Sequence, residues 1–156
     1  MRVLLSTIGS RGDVQPLVAL AMELRELGRE AAFCVPPDFR VWIEGLGFPV
    51  TPIGPELRKL TALPTATPPS PELVRQMMEG TVAAQFQAIG EAARGCDAIV
   101  GATALQIGAR SVAEGMGIPY VFVAYSPRVL PSPHHAPLPL GTLGDAEHGP
   151  ADHVES

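Results

Sequence analysis

Little in this sequence could stack on bases or neutralise phosphate. Aromatic residues are 5% of the chain, charged residues 17%, and the formal charge is -5 at pH 7. Nucleic acids and anionic membranes are held by clustered cations, and RNA readers add stacking rings. Both classes of partner are therefore disfavoured. The two cysteines, Cys34 and Cys96, belong to no CxxC or Cys/His spacing, which excludes a zinc site or a disulfide framework and leaves two reduced thiols near the core. An acidic metal-binding cluster is missing too, so no metal and no tightly held cofactor is expected. His134-His135, His148 and His153 are flanked by Pro and Gly, with no helix to set two rings on one face, and read as a solvated loop. The first apolar run, Val3 to Ile8, is too short for a signal peptide or a bilayer span. A cytoplasmic location follows as the default.

What is present is apolar and periodic. At 156 residues with 46% hydrophobic content, the chain fits one globular domain with a genuine core. Val3 to Ile8 reads as a strand. Leu17, Leu20, Ala21, Leu24 and Leu27 then recur at helical spacing, with Gly28 just past the end. Ala31 to Val35 is a second strand, Phe39 to Leu46 a short helix, and Val50 to Ile53 a third strand. The Pro- and Thr-rich stretch from Pro49 to Pro71 reads mainly as a long connection, a kind that often carries function. Ser70-Pro71-Glu72 has the chemistry of a helix start, followed by the apolar stripe Leu73, Met77, Val82, Phe86, Ile89 and Ala93. Asp97 to Gly101 is a fourth strand. Ile107, Val112 and Met116 mark another helix, and Pro119 to Ala124 a fifth strand. Alternating units with strands apolar on both faces predict an α/β, Rossmann-like parallel sheet with helices on both faces. The domain is expected over residues 1–126, with 127–156 an irregular Pro/His/Gly-rich loop and tail.

Ligands of such sheets gather beyond the carboxyl ends of the strands. The loop after the first strand is Gly9-Ser10-Arg11-Gly12-Asp13, whose glycines allow a tight turn and whose following helix offers free N–H groups to an anion. It lacks the third glycine of a dinucleotide fingerprint. Asp13 has two readings on its own residues: a helix cap, or a catalytic carboxylate. Ser10 is likewise a turn hydroxyl or a ligand contact. Thr103 and Gln106 follow the fourth strand and Ser126 the fifth, so each is an acceptor contact or a local cap. Met77 and Phe86 fit the core better than a cleft, whereas Met78 stands off the stripe and is the better candidate to face a ligand.

The run Thr7-Ile8-Gly9-Ser10-Arg11-Gly12-Asp13-Val14-Gln15-Pro16-Leu17-Val18-Ala19-Leu20 resembles the opening motif of GT-B glycosyltransferases of the glycopeptide-antibiotic, macrolide and sterol glucosyltransferase group. These enzymes carry a family 28-type N-terminal domain. Leu27-Gly28, Pro36-Pro37-Asp38-Phe39, Gly95-Cys96-Asp97-Ala98, and Arg110 to Glu114 with Gly117-Ile118-Pro119 match in register, with particular similarity to the actinobacterial enzymes that glycosylate glycopeptide aglycones. The resemblance implies the acceptor-binding, N-terminal half of a GT-B fold, whose partner domain, holding the nucleotide sugar, is absent from this chain. It implies an inverting transfer of a hexose from a nucleoside diphosphate to a hydroxyl of a bulky natural product. Asp13 then falls on the general base, a position where macrolide and plant relatives carry histidine. Gly9, Ser10, Arg11 and Gly12 fall near the sugar donor, and His134 lies in a loop bordering the acceptor.

Two rival functions stay open at this level. One is a stand-alone acceptor-binding or regulatory subunit that pairs with a separate catalytic chain. The other is a small Rossmann-type nucleotide binder, with Asp38 after the second strand mimicking a ribose-binding acid.

Overall fold

Strand order β3-β2-β1-β4-β5, with every pairing parallel, defines the sheet of the computed structural model. Its described residues are 1–56, 71–103, 105–126 and 133–134; the side chains of Pro71, Leu73, Val74, Met77 and Met78 are outside that set. The strands are β1 (Arg2–Thr7), β2 (Glu30–Val35), β3 (Val50–Pro52), β4 (Ala98–Ala102) and β5 (Tyr120–Val123). The helices between them are α1 (Arg11–Glu26), α2 (Arg40–Gly45, after a 3-10 turn at Pro37–Phe39), α3 (Pro71–Ala92) and α4 (Ala109–Met116). Parallel strands need crossovers, and the helices that supply them cover both faces of the sheet.

On one face Val3, Leu5, Phe33 and Val35 meet Val14, Leu17, Val18 and Ala21 of α1 and Ile43 of α2. On the other, Leu4, Ala32 and Ile99 meet Ile89 of α3, Ala93 just past its end, and Val112 of α4. Alternation along β1 thus sends Leu4 to one layer and Val3 and Leu5 to the other, as expected for a strand buried on both sides. Cys34 and Cys96 are buried free thiols. Burial pushes the Cys34 thiol up to about 12, so it stays protonated and inert.

Several expected stripes shift by a residue. In α1 the buried set begins at Val14, while Leu20 (36% exposed) and Leu27 (73%) face outward. The helix starts at Arg11, a turn earlier than the apolar spacing predicts, because Ser10 takes the N-cap position and Pro16 lies inside the helix. Proline has no N–H, so the Gly12 carbonyl loses its intrahelical partner at that turn. In α4, Ile107 lies before the helix and Met116 points outward, while Ala109, Val112 and Ala113 face the sheet. Strand β5 is apolar on both faces as expected, yet Val121 (50% exposed) and Phe122 (42%) are open, since among the described residues β5 is the sheet's edge. Gly28 and Gly117, at φ 69° and 68°, end α1 and α4 in left-handed turns, as their places in the sequence predict. Residues 57–70 of the expected connection, the Ser70 cap, and the loop-and-tail region other than Pro133 and His134 lie outside the described residues.

The largest departure is in α3. Phe86 is 45% exposed, and its neighbour Gln85 is only 1% exposed. Gln85 Nε2 donates to the Leu105 carbonyl at 2.9 Å, and the Gly108 N–H donates to Gln85 Oε1 at 3.0 Å. One amide therefore satisfies two backbone groups of the loop leaving β4, which is why a polar residue occupies the inward position. Gln85→Leu keeps the volume but orphans both groups, each at about 1–3 kcal/mol. We expect a total loss of about 2–4 kcal/mol, a fall in melting temperature of roughly 5–15 °C for a domain of this size. A thermal melt followed by circular dichroism checks this, and a shift under about 2 °C would show the loop to be satisfied by other means.

Candidate functional site

The strand order reverses between β1 and β4, and the crevice above their carboxyl ends is where open α/β sheets bind ligands. Two loops flank it: Ile8–Ser10 between β1 and α1, and Thr103–Gly108 between β4 and α4.

Asp13 is the third residue of α1 and half-buried. Its Oδ2 accepts the Ser10 backbone N–H at 2.7 Å and the Ser10 hydroxyl at 3.0 Å, while Asp13 N–H donates to the Ser10 carbonyl at 3.0 Å. Ser10, not Asp13, is the N-cap, and the carboxylate is the returning arm of a capping box. Both side-chain bonds converge on Oδ2. Among the described residues Oδ1 receives none. The two readings of Asp13 are therefore compatible, one oxygen holding the turn and the other left available.

Gly9 is required by the same carboxylate. A Cβ placed there would overlap Asp13 Oδ2 and lie 2.6 Å from Cγ and 3.0 Å from Asp13 Cβ. Gly12 is under no such constraint, since its added Cβ would meet only Ser10 Oγ, at 3.6 Å. Within the chain itself an added Cβ is excluded at Gly9 and has room at Gly12. Arg11, expected beside the sugar donor, is turned onto α2. Its guanidinium carbon sits 5.0 Å from the Trp42 ring centre, and Nε donates to Gln15 Oε1 at 3.3 Å. Such a contact contributes about 0.5–1 kcal/mol at an exposed site.

The second loop comes close to the first. Thr103 Oγ1 donates to the Ile8 carbonyl at 3.3 Å, and Thr103 has φ 73°, a left-handed conformation that costs a β-branched residue about 1–3 kcal/mol. Gln106 is 7% exposed. Ser6 Oγ lies 2.9 Å from Gln106 Oε1 and 3.2 Å from the Cys34 carbonyl, but the hydroxyl has one proton and cannot serve both. A half-turn of the amide lets Nε2 donate to Ser6 Oγ and frees the hydroxyl proton for Cys34. As placed, Nε2 is buried without a partner among the described residues, and the half-turn leaves Oε1 there instead.

Ser126 is half-buried beyond β5, and His134 is exposed in a turn. Met78 stands on α3, with its side chain outside the described set; His135, His148 and His153 are outside it altogether. The residues brought together are thus Gly9, Ser10, Gly12, Asp13 and Thr103, with Gln106 buried beside Ser6 and the Arg11 side chain directed to α2. Two participants escape the sequence reading. Gln85 holds the second loop, and the Tyr125 hydroxyl donates to the Asp13 carbonyl at 2.9 Å across 112 residues of chain. A cleft of about 390 Å³ bordered by Arg40, Thr51, Gln87 and Glu91 lies at the β3 edge and includes none of these residues. Among the described residues no three His, Cys, Asp or Glu side chains could share a metal ion, and no helix is long and apolar enough to cross a membrane.

Residues 3–132 match the model of the glycosyltransferase family 28 N-terminal domain. Glycosyltransferase GtfC of Amycolatopsis orientalis is 50% identical over 88% of this chain and 34% of its own length. The vancomycin aglycone glucosyltransferase of the same organism is 46% identical over 90% of this chain and 35% of its own. Among solved structures, the calicheamicin glycosyltransferase CalG4 superposes with a TM-score of 0.67 at 19% identity, over 86% of this chain and 34% of that one. The glycosyltransferase VinC in complex with dTDP gives 0.55 at 26% identity, over 81% and 35%. The fold is therefore the Rossmann-like N-terminal part of a GT-B glycosyltransferase, and the chain spans about a third of the length of these relatives. With its family model matched over most of its residues, the chain belongs to the glycosyltransferase family 28 N-terminal domain family.

Proposed function

We propose that this chain is the acceptor-binding half of a nucleotide-sugar-dependent glycosyltransferase that modifies a hydroxyl of a bulky, partly apolar natural product, with Asp13 as general base. The observation that carries the reading is the Asp13 carboxylate, anchored through Oδ2 and free of hydrogen bonds at Oδ1 among the described residues, at the switch point of the sheet. An alcohol or phenol is a weak nucleophile, and a fixed carboxylate within hydrogen-bond reach accelerates its attack. In the proposed step the acceptor O–H proton passes to Asp13 while its oxygen bonds the anomeric carbon. The bond to the diphosphate breaks from the opposite side, its electron pair leaves with the nucleoside diphosphate, and the anomeric centre inverts.

The relative named vancomycin aglycone glucosyltransferase supports a glycopeptide-like acceptor and a hexosyl donor. Thr103, Gln106, Ser126, Met78 and His134 are proposed acceptor contacts. Of these, Gln106 is the buried one, its amide lying beside Ser6 at the foot of the loop after β4. Gly9, Ser10 and Gly12 are proposed to border the sugar donor at the start of α1, where backbone N–H groups favour a phosphate. No metal or bound cofactor enters the scheme.

The test is transfer itself. The full-length protein carrying this chain, given a nucleoside-diphosphate hexose and a glycopeptide aglycone, is expected to yield the aglycone plus one hexosyl unit by mass spectrometry. Finding donor hydrolysis alone across a panel of aglycones, macrolides and sterols would remove the acceptor assignment.

A further inference from the structure

We infer that Tyr125 is a positioning residue for Asp13, clamping the first turn of α1 onto the loop beyond β5. Its hydroxyl donates to the Asp13 backbone carbonyl at 2.9 Å. That carbonyl is already the acceptor of an ordinary helical bond, from the amide four residues on, so the phenol uses its second lone pair and costs the helix nothing. The bond falls on the residue that carries the proposed base, in a helix whose first turn is weakened one residue earlier by the partner Pro16 denies to Gly12. The turn holding Asp13 is therefore short of internal bonds, and Tyr125 supplies one from outside.

The phenol suits this task. Tyr125 is 42% exposed, so its ring also forms part of the surface beside α1. Burial, and then the nearby Asp13 charge, push its hydroxyl up to about 12, which keeps it a protonated donor at any pH where transfer would run. The contact couples two regions: the opening loop with its carboxylate, and the segment just beyond β5 that carries Tyr125 and Ser126. A clamp of this kind acts on the rate through the placement of Asp13, not by touching a reacting atom. Positional errors near 1 Å at a reacting group can cost 10²-fold, and loss of one of several restraints a fraction of that.

The inference rests on Asp13 being the base, and the experiment separates the two. In the full-length protein, Tyr125→Phe removes the hydroxyl and keeps the ring. We expect kcat to fall about 5- to 30-fold, with acceptor KM changed less than about 2-fold and the melting temperature nearly unchanged. The same substitution in an Asp13→Asn background is expected to lower the residual rate less than about 2-fold, because the group it positions is gone. An unchanged kcat overturns the clamp. So does an equal fall in both backgrounds, which would place the effect elsewhere, or a loss confined to KM, which would make Tyr125 an acceptor contact. Asp13→Asn alone reports on the base: a near-normal rate there sinks the base assignment and the clamp with it, whereas a large loss there with a silent Tyr125→Phe sinks only the clamp.

Discussion

Replacing Asp13 by asparagine is expected to lower turnover of the full-length enzyme about 10²–10⁴-fold while leaving the fold in place. The expectation comes from the two duties the structure gives this side chain. As a capping-box residue, Asp13 needs only to accept the Ser10 N–H and hydroxyl, at 2.7 and 3.0 Å, and an amide oxygen accepts both with nearly the same shape. The helix loses a charge near the positive end of its dipole, worth about 0.3–1 kcal/mol. As a base, the residue must take a proton, and a neutral amide does not. The substitution therefore divides the two functions: capping survives and proton transfer does not. Rates at saturating acceptor, measured with a thermal melt of the same sample, decide the matter. Near-normal turnover would reduce Asp13 to a cap, while lost turnover with a melt lowered by far more than 1 kcal/mol implies would mean that the turn itself had failed.

How much of this was legible in the chain depends on the range of the interactions. Local signals carried well. The apolar run of β1 and the glycines closing α1 and α4 each act within a few residues, and the structure has them where the spacing puts them, whereas the cap of α1 falls on Ser10 and not on Asp13. Parallel pairing followed from strands without a polar face, but the order that sets β1 beside β4 did not. What failed to show was held by distant partners. Gln85 breaks an apolar stripe because two backbone groups about 20 residues downstream need its amide, and a periodicity argument puts Phe86 inward instead. Tyr125 bonds a carbonyl 112 residues away, and nothing in its neighbourhood marks it. The strain at Thr103 is equally silent, because a threonine after a strand usually stays extended. The contact of Arg11 with Trp42 of α2, ring centre 5.0 Å from the guanidinium carbon, is silent in the same way.

Gly9→Ala is the second large effect expected, and it isolates geometry from chemistry. Every atom of the proposed base remains, and only a methyl group is added one residue before the N-cap. That methyl would overlap Asp13 Oδ2 and lie 2.6 Å from Cγ, so the carboxylate must leave Ser10. Rotation about the side-chain bond relieves those contacts but not the one to Asp13 Cβ at 3.0 Å, which only a shift of the turn can ease. Gly9 is itself outside the left-handed region, so alanine strains no backbone angle there, and the damage is confined to the carboxylate and its turn. A displacement on the scale of 1 Å at a catalytic group costs about 10²-fold. We expect kcat to fall by roughly that factor, with a stability loss of about 1–2 kcal/mol from the broken capping box. Gly12→Ala is the matched control, because its methyl meets only Ser10 Oγ at 3.6 Å. If Asp13 acts from the position it holds here, the two alanines must differ in rate by more than tenfold, with the Gly9→Ala melt lower by no more than the lost capping box explains. Equal, mild effects would mean that the carboxylate works from some other rotamer, and that the anchoring bonds to Ser10 belong to the helix alone.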